Sequence, residues 1–411
     1  MRLKTLVYLS FIVSFGCVST ENKQGEAENS TFYSIDCSKM IKSPGLVDIS
    51  EFAENLVYVP LETSPASTLG RIFDAKFTKD YIFIHHTGPL AQFDRSGKFI
   101  RNIGTIGRGP AEYLLIRSFS IDEAKELIYI QSNWTREILV FSFKGEFVKS
   151  IELNLDDRAI VWSRDSLFMC FKEPQAGNEE YVFREINTNG DILQTVKNYS
   201  KWQDKPAFGS SNVFWGRNIF YRFNNKLHFK GEYNDTVYTY DSNNRIVPKF
   251  FLDLKEYTLP VEMRIEKGFL NKVPAKYYWV CVRETLPYIF IRFATYTGNK
   301  EESWYADEGY AFVDKSTSNW SAIKNKDENS GFINDLDGGP DFVPEYTNDT
   351  LAFHFIRSID LKKHLSSDKF KKSNPKYLDK KETLVNQFQV LKENDNDVLM
   401  IVKIKQPGFQ E

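Results

Sequence analysis

The 411-residue chain is poor in the side chains that build metal and redox centres, with four cysteines, five methionines and five histidines. Cys17, Cys37, Cys170 and Cys281 are far apart and form no Cys-x-x-Cys pair, which argues against a disulfide framework or a structural zinc site. His85 and His86 are neighbours on a predicted strand and so point to opposite faces, while His228, His354 and His364 are scattered. No His-Glu-x-x-His run and no Gly-x-Ser-x-Gly elbow is present, so neither zinc hydrolysis nor acyl transfer has a local signature. Basic excess is also missing. Lys and Arg number 53 against 55 Asp and Glu, a net of -2, which lacks the electrostatic footprint of a nucleic-acid binder. No apolar run reaches the roughly 20 residues needed to cross a bilayer as a helix.

The longest apolar run opens the chain. Arg2 and Lys4 precede Leu6 to Phe15, the layout of a secretory signal over residues 1–16. The run ends in Ser14-Phe15-Gly16-Cys17, which resembles a lipobox, although Phe15 stands where a small residue is usual. Cys17 is therefore expected to carry a thioether lipid and to begin the mature protein, tying it to the membrane. The polar tract Ser19 to Ser30 has no apolar periodicity, and residues 17–45 read as a flexible tether ahead of a domain over 46–411. The expected location is the cell envelope, as an outer-membrane lipoprotein facing either the periplasm or the outside. With Cys17 assigned to lipid, at most one bridge could form among the other cysteines, and Cys170, within Ser166 to Phe171, reads as a buried strand residue.

What the chain has in abundance is aromatic residues, 15% of the total with 34 Phe and 21 Tyr, a bias that favours strands packed face to face. Their punctuation repeats. Phe93-Asp94-Arg95-Ser96-Gly97-Lys98-Phe99, Phe141-Ser142-Phe143-Lys144-Gly145-Glu146-Phe147 and Ile186-Asn187-Thr188-Asn189-Gly190-Asp191-Ile192 each place a polar turn with glycine between two strands, and Tyr240 to Val247 is a weaker copy. A second hairpin precedes each, as in 75–84, 119–130 and 160–168. Two hairpins in a period of roughly 45 residues make a four-stranded blade, and such blades bury their faces only when arranged radially.

The expected fold is therefore an all-β, six-bladed β-propeller of four-stranded antiparallel blades, at about 46–115, 116–157, 158–200, 201–255, 280–345 and 346–411. Pairing of Leu56-Val57-Tyr58-Val59-Pro60-Leu61 with Val398 to Ile404 would close the ring and remove an open sheet edge. Two short helices interrupt the pattern. One falls within Leu259 to Lys276; the other is opened by Asn374-Pro375, as cap and first residue, and carries Leu384, Phe388 and Leu391 on one face.

Three stretches, Ile103-Gly104-Thr105-Ile106-Gly107-Arg108-Gly109-Pro110-Ala111-Glu112-Tyr113, Asn334-Asp335-Leu336-Asp337-Gly338-Gly339-Pro340-Asp341-Phe342-Val343-Pro344, and Leu391 to Met400, are distinctive. In them the chain resembles the six-bladed, TolB-like or NHL-like propeller lipoproteins of Bacteroidetes. Ala111 stands where that family more often has glycine. The resemblance implies the fold and an envelope location far more than an activity.

Candidate binding residues follow from local chemistry. The Gly104 to Tyr113 loop lacks the Lys-Ser/Thr of a phosphate loop, but Arg108 could hold a carboxylate or an anionic sugar, with Glu112 beside it. Asp335, Asp337 and Asp341 alternate before and after glycines and could hold calcium, although the EF-hand spacing is not met. Trp304 and Tyr305, with Trp320, Trp202 and Trp215, could provide stacking platforms for a sugar ring. These readings favour a non-catalytic binding or interaction module whose ligand is a glycan, a peptide or an envelope protein. The alternative is a propeller enzyme of the metal-assisted lactonase or lyase type, its groups gathered from several blades at the central channel.

Overall fold

Alternation of apolar and polar residues, broken by short polar turns, folds the chain into six antiparallel sheets. The computed structural model describes residues 32–406 except 133–135, 154, 156, 173, 175–176, 202–218, 265–272, 297–306 and 326–329. Blade 1 comprises Ile72–Phe77, Tyr81–His86, Leu90–Asp94 and Phe99–Ile103. Blade 2 comprises Ile116–Asp122, Leu127–Ser132, Glu137–Ser142 and Phe147–Glu152, and blade 3 Ala159–Arg164, Leu167–Phe171, Tyr181–Ile186 and Ile192–Lys197. Blade 4 is built from Phe220–Phe223, Lys226–Phe229, Thr236–Tyr240 and Ile246–Asp253. Blade 5 is built from Tyr278–Glu284, Tyr288–Thr295, Glu308–Asp314 and Trp320–Lys324. Blade 6 takes Tyr346–Thr347, Leu351–Ile356 and Val398–Ile404 from the C-terminal part and its outermost strand, Ala53–Pro60, from the N-terminal part. The register pairs Pro60 with Val398, Tyr58 with Met400 and Leu56 with Val402, so the expected closure is present.

The outer hairpins are one device used repeatedly. Gly97, Gly145 and Gly190 have φ of 87°, 82° and 85°, and Asn244 takes the same left-handed role at 59°. Ahead of each, a side-chain oxygen of Asp94, Ser142, Asn187 or Asp241 accepts the N–H groups two and four residues on. Blade 5 repeats the cap through Asp314, which accepts from Ser316 and Thr317. Fully buried rings pack the seams between blades, among them Phe83, Phe119 and Phe141 between blades 1 and 2 and Phe183 and Phe229 between blades 3 and 4. Cys37, Cys170 and Cys281 are free, buried thiols.

Three expectations need correction. The end of the supposed tether is folded: Tyr33–Asp36 runs parallel to the outer strand of blade 4, and helix Cys37–Lys42 follows it. Ile35, Cys37, Met40 and Ile41 bury there, and Asp36 receives the N–H of Lys39 and the ammonium of Lys255 (2.6 Å). The last helix begins at Leu378, not at Asn374-Pro375, because the N–H groups of Lys376 and Tyr377 are taken by the carbonyls of Asp335 and Leu336, holding that stretch extended. It buries Leu384, with Phe388 and Leu391 buried just beyond it, as expected. Two further helices, Ser358–Ser366 and Asp368–Lys372, precede it, each with a single large buried side chain, Leu361 and Phe370. Within Leu259 to Lys276, Val261–Arg264 is helical.

Candidate functional site

In an antiparallel blade the turn between the first and second strands and the turn between the third and fourth lie at one end. The links to the next blade lie at the other. The conspicuous sequence motifs all fall at the linking end. Arg108 and Glu112 are in the link from blade 1 to blade 2, where Thr105–Ile106 pairs with Glu112–Tyr113. Arg108 is exposed, and the Glu112 carboxylate accepts the N–H of Gly109 (2.7 Å). The anchor of this loop is Tyr113, buried, whose hydroxyl donates to the carbonyl of Ile103 (2.5 Å) and accepts from the N–H of Leu90 (2.9 Å). Ala111 has φ of 66°, so the glycine common at that position in the resembling family has a steric reason.

Asp335, Asp337 and Asp341 are in the link from blade 5 to blade 6, and each faces different partners. Asp335 accepts the N–H of Ser50 and pairs with Lys376 (3.0 Å). Asp337, buried, accepts from Asn334 Nδ2 (2.7 Å), the N–H of Gly339 (2.8 Å) and the hydroxyl of Tyr58 (3.2 Å). Asp341 accepts the N–H of Ser330 (3.1 Å). The three are not brought to one point, and among the described residues no three His, Cys, Asp or Glu side chains form a metal-sized cluster. Trp304, Tyr305, Trp202, Trp215 and Cys17 lie outside the described residues. Trp320 is half-buried and packs against the seam of blades 4 and 5.

A wide opening lies at the other end. A cavity of about 820 Å³ forms the mouth of the central channel, lined by the first strands of all six blades and the turns that follow four of them. Aromatic faces here are covered by cations: Lys76 over Phe119 (5.5 Å), Arg222 over Trp162 (4.4 Å), and Lys315 and Lys249 over Phe223 (3.7 and 4.7 Å). The ring of Phe77 stacks on Phe353 at 3.9 Å, and Arg95 lies above the pair.

Charge at the mouth and just behind it falls into two classes. On the seam of blades 4 and 5, Glu284 is wholly buried between Lys249 (2.8 Å) and Lys315 (2.9 Å) and accepts the hydroxyl of Tyr221 (2.7 Å). Burial alone would raise its pKa, but the two ammonium groups outweigh that and hold it at about 2. Burial pushes His228 beside it down to about 3, helped by Lys249. On the seam of blades 3 and 4, Arg222 donates through Nη2 to the carbonyls of Trp162 (2.8 Å) and Ser163 (3.0 Å). Its Nε–H and Nη1 hydrogens have no acceptor among the described residues, and it lines the cavity. Burial brings its pKa down to about 10, opposed by Asp122. Of the mouth's carboxylates, Asp74 is held by Lys76 (2.8 Å), Glu123 by the N–H of Lys79 (2.7 Å) and Asp349 by the N–H of Asn224 (2.8 Å), while the buried Asp122 accepts the N–H of Lys125 (3.2 Å) through Oδ1 and its Oδ2 has no hydrogen-bond partner among the described residues.

Sequence reasoning reached none of these mouth residues, because they come from six strands spread between positions 74 and 350. One signal was present. First strands that are otherwise apolar end in charged or amide residues, as at Asp122, Arg222-Phe223-Asn224 and Arg283-Glu284.

No curated protein matches the sequence. A Bacteroides fragilis structure, assigned as an exported protein, aligns over 91% of this chain and 99% of its own with a TM-score of 0.66 at 16% identity, which supports the propeller fold. A DUF4221 member from Bacteroides vulgatus aligns over 86% of this chain and 97% of its own with a TM-score of 0.49 at 12% identity. Residues 32–403 match the family described as a domain of unknown function, DUF4934, from the edge strand on blade 4 to the closing strand of blade 6, and the chain belongs to that family.

Proposed function

We propose that the protein is an exported, lipid-anchored propeller that binds a ligand at its channel mouth and does not transform it. The observation that carries this reading is the make-up of the mouth. Rings capped by cations surround a cavity in the 300–1,000 Å³ range typical of small-molecule sites, and its carboxylates are held apart by their own donors rather than converging on one point. The ligand is a glycan, a peptide or a segment of an envelope protein small enough to enter. The assigned export of the Bacteroides fragilis protein and the signal-like start of the chain support delivery to the envelope, with Cys17 as the lipidated residue.

Two variants test the two halves. Ala124 is exposed on the rim of the cavity, so Ala124→Trp should narrow the mouth without disturbing a core. Ligands found by screening soluble glycans and peptides should lose affinity for this variant at unchanged melting temperature; retention of every ligand would place binding elsewhere. Cys17→Ser should move the protein from membrane to soluble fractions, and a variant that stays with the membrane would refute the lipid anchor.

A further inference from the structure

Resting on the reading of the mouth as a binding site, we infer that its ligand is a polyhydroxylated acid, a sugar carrying a carboxylate, with the acid group at Arg222. Three observations converge. First, Arg222 lines the cavity and is fixed in place by two carbonyls and the Trp162 ring, yet its Nε–H and Nη1 hydrogens have no protein acceptor among the described residues, the charge of Asp122 lying near it. A guanidinium held this way has already lost its rotamer freedom, so an incoming carboxylate gains a charge-assisted hydrogen bond at little entropic cost.

Second, Thr347, on the first strand of blade 6 and part of the same lining, has a hydroxyl that is shielded from solvent and has no hydrogen-bond partner among the described residues. A shielded hydroxyl left unsatisfied is costly, and a ligand hydroxyl or ring oxygen that displaces its cover is the kind of group that would relieve it.

Third, the rest of the lining is suited to hydroxyl groups. Asn225, Asn348 and Thr350 present amides and a hydroxyl, while Asp74, Glu123 and Asp349 retain acceptor capacity beyond the donors that hold them. Those carboxylates would repel a polyanion, which sets aside polyphosphates and nucleic acid, but they accept well from neutral hydroxyls. The rings do not provide a bare stacking platform, since cations already lie over Phe119, Trp162 and Phe223. Recognition of the sugar is thus by its polar edge and its single acid group.

The test is calorimetric titration of the full chain with a panel of singly carboxylated tri- and tetrasaccharides, xylotriose bearing one glucuronate among them, each beside its neutral parent. At least one acidic member should bind, its neutral parent at least tenfold more weakly, and added salt should weaken the acidic one. Arg222→Gln should remove the preference for the acid and Arg222→Lys should restore part of it. Because Arg222 also braces two carbonyls, Thr347→Val serves as the second variant: it deletes a hydroxyl without a partner, should melt no lower than the parent, and should weaken binding about fivefold. Failure of every acidic sugar to bind, or equal binding by Arg222→Gln, overturns the inference. Neutral sugars or acidic peptides that bind as well and are excluded by Ala124→Trp would overturn it too, while leaving the mouth as a binding site.

Discussion

The two ends of the ring differ in how their polar groups are used. At the linking end those of the conspicuous motifs are closed on their neighbours: Asp337 accepts three donors, Glu112 holds the turn it belongs to, and His364 Nε2 lies 2.8 Å from the carbonyl of Gly338. At the mouth, similar hairpins support a centre where the blades present different side chains, and Arg222 and Thr347 keep hydrogen-bonding capacity that no described residue uses. The conspicuous motifs are thus held by structural contacts, and the end with repetitive turns holds the proposed site. Substitutions can break that division or sharpen it.

The largest effect is expected at Glu284, buried behind the mouth on the seam of blades 4 and 5. Glu284→Gln leaves Lys249 and Lys315 without their buried counter-charge and should cost about 3–5 kcal/mol in denaturant unfolding. The parent should also show an acid limb from this group. Its folded pKa, about 2, lies below the ordinary carboxylate value, so the stability it contributes is complete above roughly pH 4.5 and is lost as pH falls towards 2. The variant should lack that limb. A cost below about 1 kcal/mol would place Glu284 with the open groups of the mouth instead.

Next come the repeated glycines. Replacing any of them by alanine forces a left-handed residue, at roughly 1–2 kcal/mol. At Gly97 the new Cβ would also lie 2.2 Å from the carbonyl oxygen of Pro60 in the closing strand, whereas at Gly190 the nearest atom, the Leu153 carbonyl oxygen, is 3.7 Å away. Gly97→Ala should therefore cost about 3 kcal/mol and Gly190→Ala about 1, measured by thermal melts. Equal costs would mean that the closing strand yields freely and that the seal of the ring is softer than its register suggests.

This recurrence explains what was legible in the sequence. A turn needing an oxygen cap and a left-handed residue within five positions writes itself locally, so the blade period, the closing strands and the buried face of Leu384, Phe388 and Leu391 could all be read. The mouth could not, because Lys76, Asp122, Arg222 and Thr347 are neighbours only after the ring closes. Helices Ser358–Ser366 and Asp368–Lys372 escaped notice because one large buried side chain apiece leaves no periodic stripe. Strand Tyr33–Asp36 escaped because its partner, Phe250 to Asp253, is more than 200 residues away.

At the linking end, change should stabilise. Asp397 is raised to about 6 by burial and by the charge of Glu345. A carboxyl whose folded pKa lies above its unfolded value costs stability as pH rises from about 4 to 6, with the full penalty above that. Asp397→Asn should gain about 1–2 kcal/mol at pH 8 and nothing at pH 4. A gain independent of pH would assign the effect to packing rather than to charge.

The smallest effect is expected at Ala111, whose φ of 66° carries the penalty of a left-handed residue with a Cβ. Ala111→Gly relieves that strain but gives the unfolded chain more freedom, two terms of opposite sign that should leave a gain of roughly 0.5–1 kcal/mol. Ligand affinity at the mouth should not change, since this loop is at the far end of the ring. Arg108 is in the same loop and tests the division more strictly. If relaxing Ala111 altered binding of an acidic ligand while Arg222→Gln did not, the exposed guanidinium of Arg108 would be the anion site and the roles of the two ends would be reversed.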